Sequence, residues 1–344
     1  MIFELILNIK MKSPLKIYTG KDEESMKIVF MGTPDFAEES LKAIYEANYE
    51  IIGVVTNPDR PKGRGMKMVA SPVKEFAIKQ NLKIFQPQKV RNNQEFINEI
   101  KELNPDVICV VAYGKILPKE ILEIPRLGCI NVHASLLPKY RGAAPIQWAV
   151  LNGDKTTGIT TMYMDEGMDT GDMILKEEVT IGEDETTGEL WDRLSKLGGE
   201  LLVKTLKNIE NGTVTRTKQE GKFSMAPMLS KEMAKINWEE QTAEQIKNLV
   251  RGLNPIMGAY TFLNDKKIKF WKVDVAKSTE IMVGGPMDFM RDGTVIVSDK
   301  KDGIFIKTKE GILKVIEIQG ENAKRMTIQE FLRGNPIEEF EIFN

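Results

Sequence analysis

The stretch MKIVFMGTPDFAEESLKAIYEANYEIIGVVT, residues 26–56, decides the architecture of the first half of the chain. Two short apolar runs, KIVFM and EIIGVVT, flank an amphipathic run, PDFAEESLKAIYEA. Short apolar runs bounded by turn residues are typical of buried strands, and apolar residues at helical spacing over this length predict a helix. A strand, a helix and a second strand in this order place the two strands parallel in one sheet through a right-handed crossover.

The alternation of β-rich and amphipathic runs continues to residue 112. The runs SPVKEFAIKQ and QEFINEIKEL predict helices, and the runs KIF and DVICVVA predict strands. We therefore expect an α/β fold with a Rossmann-like, mostly parallel sheet that helices cover on both faces. The first turn, GTPDFA, holds one glycine where a dinucleotide-binding fingerprint has three, which disfavours NAD as a ligand.

The pattern changes in the second half of the chain. A capping box at Thr186 and Glu189 predicts the start of a helix that ends near Asn211 and Gly212. After a polar stretch, one helix and five short strands with turn signals predict a small OB-like β-barrel. We expect four segments: an N-terminal extension (1–25), an α/β domain (26–210), a linker (211–226) and the small β-barrel domain (227–344).

The composition is typical of a folded, water-soluble protein. The 344 residues are 42% hydrophobic and 28% charged, with a formal net charge of -2. This balance excludes a uniformly basic surface, so any nucleic-acid contact must come from local clusters. The start, MIFELILNIK, lacks the basic region of a signal peptide. No run approaches the roughly 18 unbroken apolar residues of a membrane span, so we expect a cytoplasmic protein without a membrane partner.

The two cysteines also indicate a reducing compartment. Cys109 and Cys129 lie in the apolar runs DVICVVA and GCINVHA. A thiol in a buried strand behaves as a small hydrophobic group, and two such residues do not make a disulfide framework. One histidine and two buried thiols also make a metal site improbable, so we expect no metal.

The stretch NVHASLLPKYRGAAP, residues 131–145, contains the only histidine of the chain. The run GCINV predicts a strand whose end carries Asn131 and His133 on one face, because side chains alternate along a strand. Ligands bind at the carboxyl ends of strands in open α/β sheets. A lone histidine is more often a structural residue. The adjacent amide and an acidic loop at residues 165–172 favour a functional set instead.

An amide, an imidazole and a carboxylate together suit acyl transfer to an amine. The reaction passes through a tetrahedral oxyanion and requires removal of a proton from the attacking nitrogen. Asn131 can donate a hydrogen bond to the oxyanion, and the imidazole of His133 can carry the proton. A nearby carboxylate would stabilise the protonated ring. No Gly-x-Ser-x-Gly motif is present, so no serine nucleophile is indicated.

The runs NVHASLLPKYRGAAPIQWAVLNGDKTTGIT (131–160) and MDEGMDTGDM (164–173) resemble the folate-dependent formyltransferase family. The resemblance extends from Met26 to the C-terminus and includes GLNPIMGAY and MTIQEFLRG. It implies a formyltransferase catalytic domain over residues 26–210 and 10-formyltetrahydrofolate as the formyl donor. It also implies the catalytic set Asn131, His133 and Asp169.

The resemblance further implies where the folate binds. The SLLP segment would hold the tetrahydrofolate carrier, and two residues of AYGKILP (112–118) would line the pterin pocket. The residues so implied are Ser135, Leu136, Leu137 and Pro138, together with Ile116 and Leu117.

A second candidate binding element is the basic stretch DRPKGRGMK, residues 59–67. A solvated loop without a partner is the default interpretation of such a charge run. The family resemblance favours an RNA-binding role, because the stretch is similar to the loop that contacts the acceptor arm of initiator tRNA. The predicted phosphate-contacting residues are Arg60, Lys62, Arg64 and Lys67, with Arg216, Lys218 and Lys222 in the linker as further candidates.

The resemblance implies formyl transfer to the amino group of methionine carried by initiator tRNA, with the small β-barrel domain contacting the tRNA. No DNA partner is expected. Two alternatives stay open. A relative on the same catalytic domain could formylate an amino sugar or glycinamide ribonucleotide, or hydrolyse formyl-folate. A non-catalytic RNA-binding protein could keep the fold alone.

Overall fold

The computed structural model describes residues 25–62, 66–277 and 289–344, so the predicted extension lies outside the described residues except for Ser25. The strands are β1 (Lys27–Gly32), β2 (Glu50–Val55), β3 (Arg60–Lys62), β4 (Lys67–Val69), β5 (Ile84–Phe85), β6 (Val107–Val111), β7 (Cys129–His133), β8 (Thr156–Tyr163), β9 (Met173–Thr180), β10 (Ala259–Leu263), β11 (Lys266–Val275), β12 (Val295–Asp299), β13 (Gly303–Lys307), β14 (Ile312–Gln319) and β15 (Met326–Thr327). The helices are α1 (Asp35–Glu46), α2 (Pro72–Lys79), α3 (Gln94–Leu103), α4 (Lys119–Leu122), α5 (Pro145–Leu151), α6 (Thr187–Glu210), α7 (Ala243–Gly252) and α8 (Ile328–Gly334), with a short 3-10 turn at Glu232–Ala234.

The first sheet has the strand order β5-β2-β1-β6-β7-β8-β9. The first five strands in this order, β5, β2, β1, β6 and β7, run parallel, whereas β8 is antiparallel to both β7 and β9. The central strands are buried, as expected for a sheet that helices cover on both faces. The prediction of a mostly parallel α/β sheet is confirmed.

Helices α1 and α6 pack closely together on one face of this sheet. Gly199 makes the close approach possible, since a Cβ at this position would lie 2.9 Å from the Cβ of Ala43 and 3.0 Å from the carbonyl oxygen of Glu39. The predicted capping box starts α6: the Thr186 hydroxyl accepts from the Glu189 amide, and the Glu189 carboxylate accepts from the Thr186 amide at 2.8 Å. Such a cap contributes about 1 kcal/mol.

The second domain is an antiparallel sheet with the order β10-β11-β14-β13-β12, and β15 pairs with β14. The last residues join its two edges. Asn344 and Phe262 exchange two backbone hydrogen bonds of 2.9 Å, and the Phe343 amide donates to the Gly293 carbonyl at 2.9 Å. The predicted antiparallel β domain is therefore present, with the C-terminal segment linking β10 to the start of β12.

Two segments predicted as loop and linker carry more structure than expected. The basic stretch 59–67 predicts a loop. This prediction is wrong for Arg60–Lys62 and for Lys67, which belong to the antiparallel hairpin of β3 and β4. Strands of three residues are too short for a sequence pattern to reveal. The linker 211–226 packs onto the first domain, where Thr217 pairs with Met173 and Met225 pairs with Arg141. None of the helices in the described ranges is long and apolar enough to cross a bilayer.

Candidate active site

Asn131 and His133 lie at the carboxyl end of β7. The loop between β8 and β9 brings the third predicted residue to them. Asp169 Oδ1 lies 3.6 Å from His133 Nδ1 and 3.5 Å from Asn131 Nδ2. His133 is only 6% exposed, whereas Asn131 is partly exposed. The fold therefore brings the amide, the imidazole and the carboxylate together beside a surface that solvent reaches at Asn131.

The position of the His133 ring assigns the tautomer. Its Nε2 lies 2.8 Å from the carbonyl oxygen of Tyr140. A carbonyl oxygen only accepts hydrogen bonds, so Nε2 carries a proton. In the neutral ring, Nδ1 is then unprotonated and faces Asp169. A proton taken up by the ring would arrive at Nδ1, on the side of the carboxylate.

Contacts from two other segments hold Asp169 in place. Its backbone has a φ of +53°, a left-handed conformation that Asp tolerates better than most residues. Its Oδ2 accepts a hydrogen bond from the Gly142 amide at 2.8 Å, and its carbonyl oxygen accepts one from Gln219 Nε2 at 2.8 Å. The direction of the carboxylate is thus set from outside its own loop.

The turn that follows the SLLP segment fixes the Tyr140 carbonyl. Tyr140 has a φ of +63°, and its amide donates to Ser224 Oγ at 2.9 Å. Its hydroxyl donates to Asp154 at 2.8 Å and accepts from Asn152 at 2.8 Å. Burial raises the pKa of Tyr140 to about 12, so the phenol is neutral at physiological pH. These contacts hold the oxygen that orients the His133 ring.

The SLLP segment is anchored through its backbone to β8 and β9. Thr160 Oγ1 donates to the Ser135 carbonyl at 2.7 Å, and Lys176 Nζ donates to the Leu137 carbonyl at 2.6 Å. Ser135 and Leu137 are fully buried, whereas Leu136 and Pro138 are partly exposed. Only Leu136 and Pro138 therefore offer side-chain surface to a ligand.

The two residues predicted to line the pterin pocket differ in exposure. Ile116 is 63% exposed, whereas Leu117 is 4% exposed and belongs to the core between the sheet, α3 and α4. A ligand at this edge can contact the side chain of Ile116, while Leu117 supports it from below.

The hairpin formed by β3 and β4 projects from the end of β2, and its base is held by charged and polar contacts. Lys74 Nζ lies 2.8 Å from both carboxylate oxygens of Asp59, and Gln86 donates to Asp59 at 2.9 Å. The hydrogen bond from Lys74 is the main cause of the lowered pKa of Asp59. Arg60 and Lys67 are exposed, and Lys62 lies in β3. Arg64 lies outside the described residues.

The predicted basic residues of the linker are exposed, and the linker pairs through Thr217 with Met173, the first residue of β9. The guanidinium of Arg216 lies 3.7 Å from the ring centre of Tyr163. Lys218 and Lys222 are exposed. The guanidinium of Arg141, a residue with no predicted role, lies 4.9 Å from the ring centre of Phe223. The four cations belong to two segments that pair with each other.

Both thiols lie in buried strands, Cys109 in β6 and Cys129 at the start of β7. Cys109 and Cys129 are buried, and burial raises the pKa of Cys129 to about 12. A protonated, buried thiol is a poor nucleophile. Among the residues that the structure describes, no group of three or more His, Cys, Asp or Glu side chains is placed to hold a metal ion.

Three groups at the site escaped sequence reasoning: the Tyr140 carbonyl, the Gly142 amide and the Gln219 side chain. Two of them are backbone groups, which every residue carries, so no residue type marks them. Gln219 lies 50 residues after Asp169, in a stretch whose polar composition gives no sign of the contact.

Comparison with known proteins identifies the family. A family model described as formyl transferase matches residues 26–206, and one described as formyl transferase, C-terminal domain, matches residues 228–336. The chain belongs to the formyl transferase family. A curated relative from Clostridioides difficile (strain 630), named methionyl-tRNA formyltransferase, is 54% identical over 316 residues, which are 91% of this chain and 98% of the relative.

Two solved structures share the fold. An N-formyltransferase from Helicobacter canadensis, in complex with folinic acid and dTDP-3-aminofucose, aligns with a TM-score of 0.62 at 20% identity over 86% of this chain and 100% of that chain. HypX from Aquifex aeolicus, in complex with tetrahydrofolic acid, aligns with a TM-score of 0.57 at 16% identity over 93% of this chain. The aligned part is about half of the HypX chain, 51%.

Proposed function

We propose that the protein transfers the formyl group of 10-formyltetrahydrofolate to the α-amino group of methionine esterified to initiator tRNA. The observation that carries this proposal is the 54% identity, over both domains, to a relative named methionyl-tRNA formyltransferase. The convergence of Asn131, His133 and Asp169 at the end of β7 supplies the chemistry that formyl transfer to an amine requires.

In the first step, the amino nitrogen forms a bond to the formyl carbon, and the carbonyl oxygen becomes an oxyanion. The amide of Asn131 is the donor for this oxygen. Its contact to Asp169, at 3.5 Å, is at the limit of a hydrogen bond, so its N–H groups retain capacity for a substrate. An oxyanion donor acts mainly on the transition state, where the negative charge develops.

The attacking nitrogen must lose a proton, and we assign its acceptance to Nδ1 of His133, the ring nitrogen that does not contact the Tyr140 carbonyl. The protonated ring then has its Nε2–H on the Tyr140 carbonyl and its Nδ1–H toward Asp169. The carboxylate stabilises this positive charge. Collapse of the intermediate breaks the bond between the formyl carbon and N10 of the folate. N10 takes the proton that the His133 ring had accepted, which releases tetrahydrofolate and formyl-methionyl-tRNA and returns the ring to its neutral form.

The exposed side chain of Ile116 and the partly exposed side chains of Leu136 and Pro138 are our proposed contacts for the folate. Apolar side chains suit the flat faces of a pterin ring, and folate sites of this kind are concave and mainly apolar. Ser135, Leu137 and Leu117 are buried, so they shape the surface from behind. The Thr160 and Lys176 contacts to the SLLP backbone keep this surface rigid.

The tRNA contacts proposed in the stretch 59–67 are Arg60, Lys62, Arg64 and Lys67. The exposed positions of Arg60 and Lys67 support this assignment. A hairpin held at its base by Asp59 and Lys74 can carry basic side chains toward an RNA end without moving the sheet below. The linker cations would add phosphate contacts near the site.

The division into segments follows the same proposal. Residues 26–210 form the catalytic domain, residues 211–226 connect the domains, and residues 227–344 contribute tRNA-contacting surface. The reaction belongs to the initiation of translation, which places the protein in the cytoplasm. Neither DNA nor a membrane is a proposed partner.

A direct assay tests the proposal by following formylation of charged initiator tRNA in the presence of 10-formyltetrahydrofolate. The matched acceptors are charged elongator methionyl-tRNA, free methionine and a nucleotide-linked amino sugar. We expect turnover with the initiator tRNA at a kcat/KM at least about 100-fold above that of the small amines, since each lost set of contacts reduces transition-state binding. Equal turnover of a small amine would reject the tRNA assignment.

A further inference from the structure

Gln219 is the linker residue whose side chain contacts both the Asp169 loop and Arg141. Its Nε2 donates to the carbonyl of Asp169 at 2.8 Å and to the carbonyl of Gly171 at 2.9 Å. Its Oε1 accepts from Arg141 Nη2 at 2.7 Å and from Arg141 Nε at 3.1 Å. One side-chain amide thus uses both of its donors and its acceptor on two segments of the catalytic domain.

The loop that Gln219 holds is one that needs external support. Asp169 has a left-handed backbone with a φ of +53°, which is sparsely populated for residues other than glycine. Gly171 lies close against the backbone of Tyr163, since a Cβ at position 171 would lie 1.8 Å from the Tyr163 carbonyl oxygen. A tight loop of this kind keeps its conformation only where the surroundings over-determine it. Gln219 supplies two of those contacts.

The Arg141 side of the contact is equally constrained. The backbone of Arg141 donates to the Ser224 carbonyl at 2.9 Å and accepts from the Ala226 amide at 2.7 Å. Arg141 follows Tyr140, whose carbonyl orients the His133 ring. Gln219 therefore connects the segment that orients the imidazole to the loop that carries the carboxylate.

We propose that Gln219 is a positioning residue for formyl transfer: its amide fixes the loop so that Asp169 faces His133 at the distance the reaction uses. The inference rests on the proposed function, since it assigns Gln219 a role in the same site. Gln219 acts through Asp169 and does not touch the reacting atoms. The linker is thereby part of the catalytic unit.

The Gln219→Glu variant separates the two halves of the contact. A carboxylate keeps the acceptor for Arg141 and strengthens that pair, but it has no donor for the carbonyls of Asp169 and Gly171. We expect kcat for formylation of initiator methionyl-tRNA to fall about 10- to 100-fold, since a displacement of about 1 Å can cost 10²-fold. The KM values for the tRNA and for the folate should change by less than about twofold, because binding contacts are kept.

Two further variants keep the test decisive. Gln219→Met has a side chain of similar length that carries no charge, and it removes both the donors and the acceptor. Its kcat should fall at least as far as that of Gln219→Glu. Because it adds no carboxylate, it tests the proposal even where Gln219→Glu fails to fold. Glu220→Gln, at the exposed neighbour, is the matched control and should behave as the unmodified protein. Thermal unfolding of each variant shows whether the fold is retained.

A double-mutant cycle with Asp169→Asn tests whether Gln219 acts through Asp169. If it does, Gln219→Glu should lower kcat by less than about twofold in the Asp169→Asn background, because the interaction it supports is already lost. Full additivity of the two losses, or an unchanged kcat for both Gln219 variants in an active protein, would overturn the inference. Failure of the unmodified protein to formylate any acceptor would instead reject the proposed function.

Discussion

The end of β7 and the basic hairpin differ in how the fold holds them. At the end of β7, His133 is buried and has polar contacts to two segments, the Tyr140 turn and the Asp169 loop. The hairpin is fixed at its base by the Lys74–Asp59 pair, whereas Arg60 and Lys67 are exposed. The first region suits chemistry that requires fixed distances, and the second suits contact with a large partner.

The difference teaches that substitutions in the two regions should change different kinetic constants. A group that acts on the transition state changes kcat and leaves binding largely intact. Loss of a group that contacts phosphates lowers the affinity for the tRNA and the salt dependence of binding, with little effect on the rate of the reaction in the bound complex. The predictions below test this separation.

The largest effect is expected at His133. The substitution His133→Ala removes the proposed proton acceptor, and we expect kcat for tRNA formylation to fall about 10²- to 10⁴-fold, the range typical of general bases. Steady-state kinetics with saturating tRNA and folate measure this loss. A His133→Ala protein that works at the unmodified rate would remove the imidazole from the mechanism.

A somewhat smaller loss is expected for Asn131→Ala. The variant lacks the oxyanion donor, so kcat should fall about 10²- to 10³-fold, while the dissociation constant for the folate changes by less than about twofold. Asn98→Ala, at an exposed position of α3, is the matched control. If folate binding weakened as much as kcat fell, Asn131 would be a binding residue and the division between the two regions would fail.

On the hairpin, the double substitution Arg60→Ala with Lys67→Ala should weaken tRNA binding and leave the maximal rate nearly unchanged. Each lost phosphate contact should reduce the slope of log K against log salt by roughly 0.7 to 0.9. Lys196→Ala, an exposed lysine on α6, is the control. Binding isotherms at several salt concentrations give the slopes. An unchanged slope would mean that the hairpin does not contact phosphates.

The smallest effect is expected at the two buried thiols. Because burial raises the pKa of Cys129 to about 12 and also raises that of Cys109, neither forms a thiolate in the folded protein near pH 8. A thiol reagent should label neither residue in native protein and both after denaturation. Rapid labelling of native Cys129 would show that β7 opens readily, and the contrast in rigidity between the two regions would then be wrong.

Much of the fold could be predicted from the sequence because its signals are local. The alternation of apolar and amphipathic runs predicted the parallel sheet, and the capping box predicted the start of α6. Strand periodicity also placed Asn131 and His133 on one face. Asp169 was added only through resemblance to a family, because nothing local connects a loop residue to a histidine 36 positions earlier.

The short hairpin and the linker contacts could not be predicted in this way. Strands β3 and β4 have three residues each, too few for a period to be recognised. The linker composition is polar, as in a solvated connection, so its pairing with Met173 and Arg141 had no sequence signal.

The sequence by itself determined the alternation of the longer strands and helices, the residue types of the site and the basic character of residues 59–67. Only the tertiary structure decided the atoms that face one another: Asp169 Oδ1 toward His133 Nδ1, the Tyr140 carbonyl on Nε2, and Gln219 beneath the Asp169 loop. The physical reason is that periodicity and capping act over a few residues. The contacts of Asp169, in contrast, join residues up to 50 positions apart and exist only once the sheet has brought their segments together.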